Sequence, residues 1–394
     1  MKKKKVVFLM TGLYFGGMER VAFIAHDLLK DIYDIKMVAL YTKDANYKTD
    51  IEILDLGCPP KTNKVLKGFN LLKRTLAVKK MKKNIKPDIT LSFGTAANFT
   101  NALTKNNDKA ILGIRSYDWL TDFFINQNID KWIYNKGDIV CSVSKVIADD
   151  AEHIFNINEN KKRVLYNPYN VPYINKKSEI EIVEDSYDFS RKTFISVGRL
   201  VDQKGFNHLI KAFSLIVAEE SNSNAQLLII GQGEREELIR NLIMDLNLSN
   251  HVFLLGAKSN PYKFMKKADI YVLSSLSEGF PNAMVEAMAL GLPILAVDCK
   301  SGPREILSLS NIQNEAIDIE MCEYGIITPK VSGSLNYNYL NIEECDYTLA
   351  KAMELYLNDM SLREKYSKES SVRAEEFTYD KFKANLIGII DSFD

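Results

Sequence analysis

Short apolar runs recur along this chain, each followed by a loop and then by a helical pattern. In the first part they are Val6–Met10, Ile35–Leu40, Asp88–Ser92, Ala110–Ile114 and Asp138–Ser142. In the second they are Phe194–Val197, Leu227–Ile230, Val252–Leu255, Ile270–Ser274, Ile294–Val297 and Gly325–Thr328. Runs so short and so continuously apolar predict strands buried on both faces. Their alternation with helices predicts parallel sheets covered on both sides, the α/β class. A chain of 394 residues exceeds one comfortable core, so two such domains are expected. Residues 171–192 are polar and lose periodicity after Asn167-Pro168, which places the linker there. The expected division is a first domain over 1–170, a linker over 171–192, a second domain over 193–375 and a helical end over 376–394.

The segment Ser277–Pro293 concentrates chemistry. Glu278 and Glu286 stand eight residues apart. Between them Gly279-Phe280-Pro281-Asn282 turns into an Ala- and Met-rich helix that stops at Gly291. With the strand before and the strand after, the order is strand, loop, helix, strand. Ligands of open parallel sheets bind at the carboxyl ends of strands. A helix N-terminus there offers unsatisfied N–H groups to an anion.

Other strand ends add to that edge. Gly198-Arg199 and Lys204-Gly205 follow one strand, Gly231-Gln232-Gly233 the next, and Gly256 the one after. Arg199 and Lys204 carry two positive charges suited to a diphosphate, as a planar fork and a point charge. Alone, both would read as surface cations; with the glycines and Glu278 they read as a site. At the start of the chain, Thr11–Gly17 is a glycine-bearing loop between a strand and the helix Met18–Leu29. It lacks G-x-G-x-x-G, so a dinucleotide site is not supported. Gly16 and Gly17 would still allow close approach of backbone to a ligand.

The ordered set Ser196–Leu200, Lys204-Gly205, Gly231-Gln232-Gly233, Glu278–Asn282, Glu286–Ala289, Gly291-Leu292-Pro293 and Gly302–Glu305 resembles the retaining GT-B glycosyltransferases of the group one (family four) type. The match covers most of 193–330 and is weaker at Gly16–Arg20 and Tyr166–Pro168. The resemblance implies two Rossmann-like domains facing each other across a cleft, the first on the acceptor side and the second binding the nucleotide sugar. It implies that 376–394 packs back onto the first domain. It implies catalytic roles for Glu278, Arg199 and Lys204, with Glu278 on the donor sugar and the two cations on the leaving diphosphate. Gly16, Gly17, Gly198, Gly233, Gly279, Phe280, Pro281, Asn282 and Glu286 would bind the donor, Glu286 through the ribose hydroxyls. Retention of configuration follows from the resemblance alone. No D-x-D pair for a donor-bound metal is present, so the expected enzyme needs no metal or cofactor. The expected donor is a nucleotide-diphosphate sugar, UDP-linked, and the expected acceptor a lipid-linked or polymeric glycan of the cell surface.

The acceptor side is less legible. Members of that family often carry a useful His near positions corresponding to 90–120. Here the histidines are His26, His153, His208 and His251. Asn98, Arg115 and Asp118 are the acceptor candidates instead. Trp119, Leu120, Phe123 and Phe124 beside them read either as core or as an acceptor or lipid contact.

Composition bounds the partners. Residues 1–170 hold 28 Lys and Arg against 18 Asp and Glu, and the rest 23 against 33. A basic first half points to an anionic partner there. Residues 61–86 carry ten cations and no acid, interleaved with Val65, Leu66, Phe69, Leu71, Leu72, Leu76 and Val78. Two readings stand: a solvated helix face, or a basic amphipathic helix on an anionic membrane. No nucleic-acid motif accompanies them. The five cysteines are scattered without metal or redox spacing, as in a reducing, cytoplasmic compartment. The start, Lys2–Lys5 and then Val6–Met10, is too short in its apolar run for a signal peptide. No apolar run is long enough to span a bilayer. The expected location is cytoplasmic, peripheral on the inner membrane face. Two other functions compete: a non-catalytic sugar-nucleotide-binding subunit and an NAD-dependent oxidoreductase. The first is opposed by the full set of charged residues, the second by the missing glycine fingerprint.

Overall fold

The computed structural model describes residues 3–13, 17–43, 49–60, 64–117, 126–182, 187–310, 314–333 and 336–394, with 64–67 as backbone alone. The chain divides into two compact units, Met1–Pro168 with Tyr379–Asp394, and Tyr169–Thr378.

The first unit is built on seven strands: β1 (Lys5–Met10), β2 (Asp34–Ala39), β3 (Ile53–Asp55), β4 (Ile89–Phe93), β5 (Lys109–Ile114), β6 (Ile139–Ser142) and β7 (Lys162–Val164). Their order is β3-β2-β1-β4-β5-β6-β7, all parallel. Alternation along β1 shows why the runs are continuously apolar. Val6, Phe8 and Met10 join Val21, Ala25, Leu29, Phe382, Leu386 and Ile390 on one face. Val7 and Leu9 join Val78, Met81, Ala96 and Ala97 on the other. Burying one such aliphatic side chain stabilises by about 1.5–3 kcal/mol, so both faces of a central strand must be apolar. The C-terminal helix Tyr379–Asp391 lies in this unit. It is fastened by Lys4 and Tyr33, which donate to Asp391 at 2.9 and 3.0 Å.

The second unit repeats the plan with β8 (Lys192–Val197), β9 (Ala225–Ile230), β10 (Val252–Leu254), β11 (Ile270–Leu273), β12 (Ile294–Val297), β13 (Glu320–Met321) and β14 (Ile326–Thr328). The order is β10-β9-β8-β11-β12-β14-β13, parallel except for β13. Strand order reverses between β1 and β4 in one unit and between β8 and β11 in the other. Each reversal opens a crevice at the carboxyl edge.

The expected linker is corrected in part. Val171–Ser178 is a helix of the second unit, with Asn170 accepting from the Tyr173 N–H at 3.0 Å and Pro172 in its first turn. Val171 and Ile174 bury one face of it, and two apolar residues among polar ones are too weak a period to read. The edge strands β3, β7 and β13 were not anticipated. They are two or three residues long and only partly buried, so they carry no apolar run.

Candidate active site

Glu278 and Glu286 stand at the carboxyl edge of the second sheet, beside the β8/β11 reversal. Glu278 follows β11, and Glu286 sits one turn into the helix Asn282–Ala289. Both are largely buried. Glu278 Oε1 accepts from Lys204 Nζ at 2.5 Å and from Ser275 Oγ at 2.7 Å. Glu286 Oε1 accepts from Tyr262 OH at 3.1 Å. The lysine and the glutamate, read in the sequence as separate groups on the donor, are therefore already partners.

The loop after β8 explains how Lys204 arrives there. Asp202–Lys204 is one tight turn, closed by Gly205 at φ 59° before the helix Phe206–Val217. A Cβ on Gly205 would lie 2.1 Å from the Ser274 carbonyl, so only glycine lets this turn lie against the end of β11. Ser274 Oγ donates to Lys204 O at 2.9 Å, and Gln203 donates to Ser277 O at 2.9 Å. The two loops are thus sewn together before either meets a ligand.

Arg199 projects from the loop following Gly198 and is exposed. Gly198 lies against the aliphatic stem of Lys204. Gly233 has a packing reason: a Cβ there would lie 2.3 Å from Leu200 O. Its loop passes backbone to backbone with the Arg199 loop, where Leu200 N–H donates to Gln232 O at 3.0 Å. Gly279 O accepts from Ser301 Oγ at 2.9 Å. Pro281 caps the helix, and Asn282 begins it. Phe280 is buried, 5 % exposed.

Two further groups feel these charges. Burial, and after it the charges of Glu278 and Glu286, hold the Tyr271 phenol on β11 well above its usual range. Burial, and after it Glu278, pushes the Cys299 thiol well up. Both stay neutral.

In the first unit the expectations fare differently. Asn98 is corrected: it is fully buried on the helix Thr95–Leu103. Its Nδ2 donates to Gly113 O at 2.7 Å, and its Oδ1 accepts from Ser92 Oγ at 2.8 Å and from the Gly113 N–H at 3.1 Å. Its hydrogen-bonding capacity joins β4 to β5 and is not open to an acceptor. Arg115 donates to Leu165 O at 3.0 Å and to Asn167 Oδ1, holding the loop after β7. Gly17 opens the helix Gly17–Leu29 and is exposed. Gly16, Asp118, Trp119, Leu120, Phe123 and Phe124 lie outside the described residues.

Tyr262, Ser275 and Gln203 were missed. They are single polar residues in loops or a short helix, and only the fold brings Tyr262 and Ser275 to the carboxylates and Gln203 to Ser277. Among the described residues one group has metal-ligand character: His208, Cys345 and Asp346. Its His208 Nδ1 donates to Asp346 Oδ1 at 2.7 Å and its Nε2 to Ser332 O at 3.1 Å. An imidazole that donates from both nitrogens is protonated. Burial alone would lower its pKa, but the Asp346 carboxylate and then Cys345 outweigh it and raise it to about 9. This group is a buried ion pair between two helices.

The family model for glycosyl transferases group 1 matches residues 180–313. A glycosyltransferase of uncharacterised specificity from Methanocaldococcus jannaschii is 34% identical over 372 residues, 89% of this chain and 90% of its own. The N-acetylgalactosamine-N,N'-diacetylbacillosaminyl-diphospho-undecaprenol 4-alpha-N-acetylgalactosaminyltransferase of Campylobacter jejuni is 26% identical over 392 residues, 96% of this chain and 97% of its own. The crystal structure of Anabaena HepE in complex with UDP superposes with a TM-score of 0.79 at 16% identity, covering 100% of both chains. Two doubly wound units, the charged edge of the second and these relatives agree: the chain belongs to the group 1 glycosyltransferases, with the GT-B fold.

Proposed function

We propose that the protein transfers a sugar from a UDP-sugar to a lipid-linked glycan acceptor, with retention at the anomeric carbon and without a metal ion. The carrying observation is the Lys204–Glu278 pair at the β8/β11 reversal, with Glu286 on the adjoining helix. Breaking the sugar–phosphate bond builds negative charge on the departing diphosphate and positive charge on the anomeric carbon. Arg199, Lys204 and the N–H groups opening the helix at Asn282 are the preorganised counter-charges for the first. Glu278 is the counter-charge nearest the second and accepts from sugar hydroxyls. Glu286 accepts from the ribose diol. With two cations on the diphosphate and no D-x-D pair, the donor needs no divalent ion.

The HepE complex with UDP supports the nucleotide. The undecaprenol diphosphate in the Campylobacter jejuni enzyme's name supports the acceptor class, and its 4-alpha linkage supports retention. Attack from the leaving-group face, with the donor phosphate taking the acceptor's proton, is the step this arrangement allows without a side-chain base. Isolating the product and reading its anomeric configuration by NMR tests it; an inverted linkage overturns it. Turnover that collapses in a chelator and returns with a divalent ion overturns metal independence.

The same reading includes peripheral contact with an anionic membrane surface through residues 61–86. Among the described residues, no helix is long and apolar enough to cross a membrane. The helix Lys64–Ile85 has two apolar faces. Val78 and Met81 pack on the sheet, while Phe69, Leu72 and Leu76 are 69, 58 and 59% exposed. Lys73, Lys79, Lys80, Lys83 and Lys86 are exposed beside them, and Trp132 is exposed on the helix Gln127–Lys136. Arg74 and Lys82 do not belong to that surface: they turn inward, to Cys58 O and to Asp108. An apolar ridge flanked by lysines suits the interface of an acidic bilayer. Sedimentation should show binding to phosphatidylglycerol vesicles, weak binding to phosphatidylcholine vesicles, and loss of both on Leu72→Glu with Leu76→Glu. Equal partitioning of wild type and variant contradicts it.

A further inference from the structure

The chain crosses from the first unit to the second between Pro168 and Tyr169, and returns between Thr378 and Tyr379. The second-unit ends of the two crossings are paired. Tyr169 and Thr378 form an isolated parallel bridge, and the Tyr169 N–H donates to Phe377 O at 2.9 Å.

The same residues grip the loop that carries the proposed donor site. Tyr169 OH donates to Asn282 Oδ1 at 2.6 Å. The Phe280 ring lies between two others. Its centroid is 6.5 Å from that of Tyr169, tilted by 30°, and 5.2 Å from that of Phe377, edge to face. The guanidinium of Arg373 sits 4.9 Å from the Phe377 centroid and donates to Glu305 O and Ile306 O at 2.9 Å. Tyr169, Phe280 and Phe377 are all buried. A phenylalanine at 169 would satisfy the packing. A buried phenol adds the need for an acceptor, and the acceptor it meets is the first residue of the Glu286 helix.

We propose that Tyr169 is a positioning residue that ties Asn282 to both chain crossings, so that occupancy of the loop Gly279–Asn282 is felt where the chain leaves and re-enters the second unit. This rests on the reading of that loop as the donor loop. A diphosphate sugar engaging the loop and the helix N-terminus orders Gly279–Asn282. The loop touches Tyr169 through a hydrogen bond and a ring contact, and Phe377 through a ring contact. Residues at element ends between two domains are where hinge motions are absorbed. Linkage makes the effect reciprocal: a donor that steadies the crossings binds more weakly when the crossings are released from the loop.

The test combines calorimetric titration of UDP with hydrogen exchange, on wild type, Tyr169→Phe, Asn282→Ala and the double variant. Wild type should bind UDP and slow amide exchange both in Gly279–Ala289 and in the peptides carrying Tyr169 and Thr378. Tyr169→Phe should keep the wild-type melting temperature, bind UDP roughly three- to tenfold more weakly, and keep the protection of Gly279–Ala289. It should lose the UDP-dependent protection at the crossings. Asn282→Ala reaches the same bond from the other side, and the double variant should bind UDP no more weakly than the weaker single one. Wild-type affinity together with wild-type protection of the crossings in Tyr169→Phe overturns the proposal. UDP binding by wild type that leaves the crossings unprotected overturns the coupling alone. Absence of UDP binding by wild type overturns the donor-loop reading and this inference with it.

Discussion

Each unit carries a largely buried lysine paired with a carboxylate, and the two pairs occupy opposite ends of similar sheets. In the first unit Lys82 Nζ lies 2.7 Å from Asp108, which just precedes β5. Asn101 Oδ1 accepts from the same ammonium at 2.8 Å, and Thr90 donates to Asp108 at 2.7 Å. The pair is closed on itself at the amino edge, and it joins two helices to two strands. Burial holds the Lys82 ammonium below its usual pKa against the pull of Asp108. In the second unit Lys204 meets Glu278 at the carboxyl edge, where both residues stand in loops after strands and keep some exposure. One doubly wound plan thus uses the same charge pair in two ways. At the amino edge it fastens the structure; at the carboxyl edge it stands where ligands of such sheets bind.

Substitutions separate the two uses. Lys82→Met leaves Asp108 buried without its cation, and should lower stability in urea by about 3–5 kcal/mol. UDP affinity of the folded protein should not change; a variant as stable as wild type would break the contrast. Glu278→Ala should lower turnover by about a hundredfold and UDP-sugar affinity by much less, with the melting temperature nearly kept. A loss confined to affinity would contradict the assignment of Glu278 to the sugar. Glu286→Ala should act the other way, weakening UDP binding roughly tenfold with a smaller change in turnover at saturation.

The smallest effect belongs to His208, which resembles Lys82 rather than Lys204. Its folded pKa of about 9 lies above the ordinary histidine value. The pair with Asp346 therefore contributes its full stability below about pH 6.5. That contribution is lost as pH rises through about 9. Melting temperature should fall across that window in wild type and fall less in His208→Asn. Parallel profiles would show that His208 is neutral in the fold.

The two-faced strands and the carboxylate helix were legible because each is a local pattern. Val6–Met10 and Ile294–Val297 read as strands from their continuous apolar character, and Glu278 and Glu286 flank a turn that must follow a strand. What was not legible depends on three-dimensional neighbours. Nothing in the spacing of Lys204 and Glu278 says that they touch, because three α-helices and three strands separate them along the chain. Asn98 looked like an acceptor ligand and proves to be a sheet fastener, since a polar residue after a strand fits either role until its burial is known. The ten cations of 61–86 looked uniform, yet Arg74 and Lys82 turn inward. The helix shows no clean amphipathic period because it carries apolar residues on two faces.

The central claim is that the charged carboxyl edge of the second sheet binds a nucleotide sugar and stabilises its leaving diphosphate. The direct measurement is UDP release from a panel of UDP-sugars by wild type and Lys204→Ala, each with and without a chelator. The account predicts that wild type releases UDP from at least one donor at a rate the chelator does not alter. It predicts that folded Lys204→Ala is slower by about a hundred- to a thousandfold. UDP release by Lys204→Ala at the wild-type rate, or none by wild type from any donor, would contradict it.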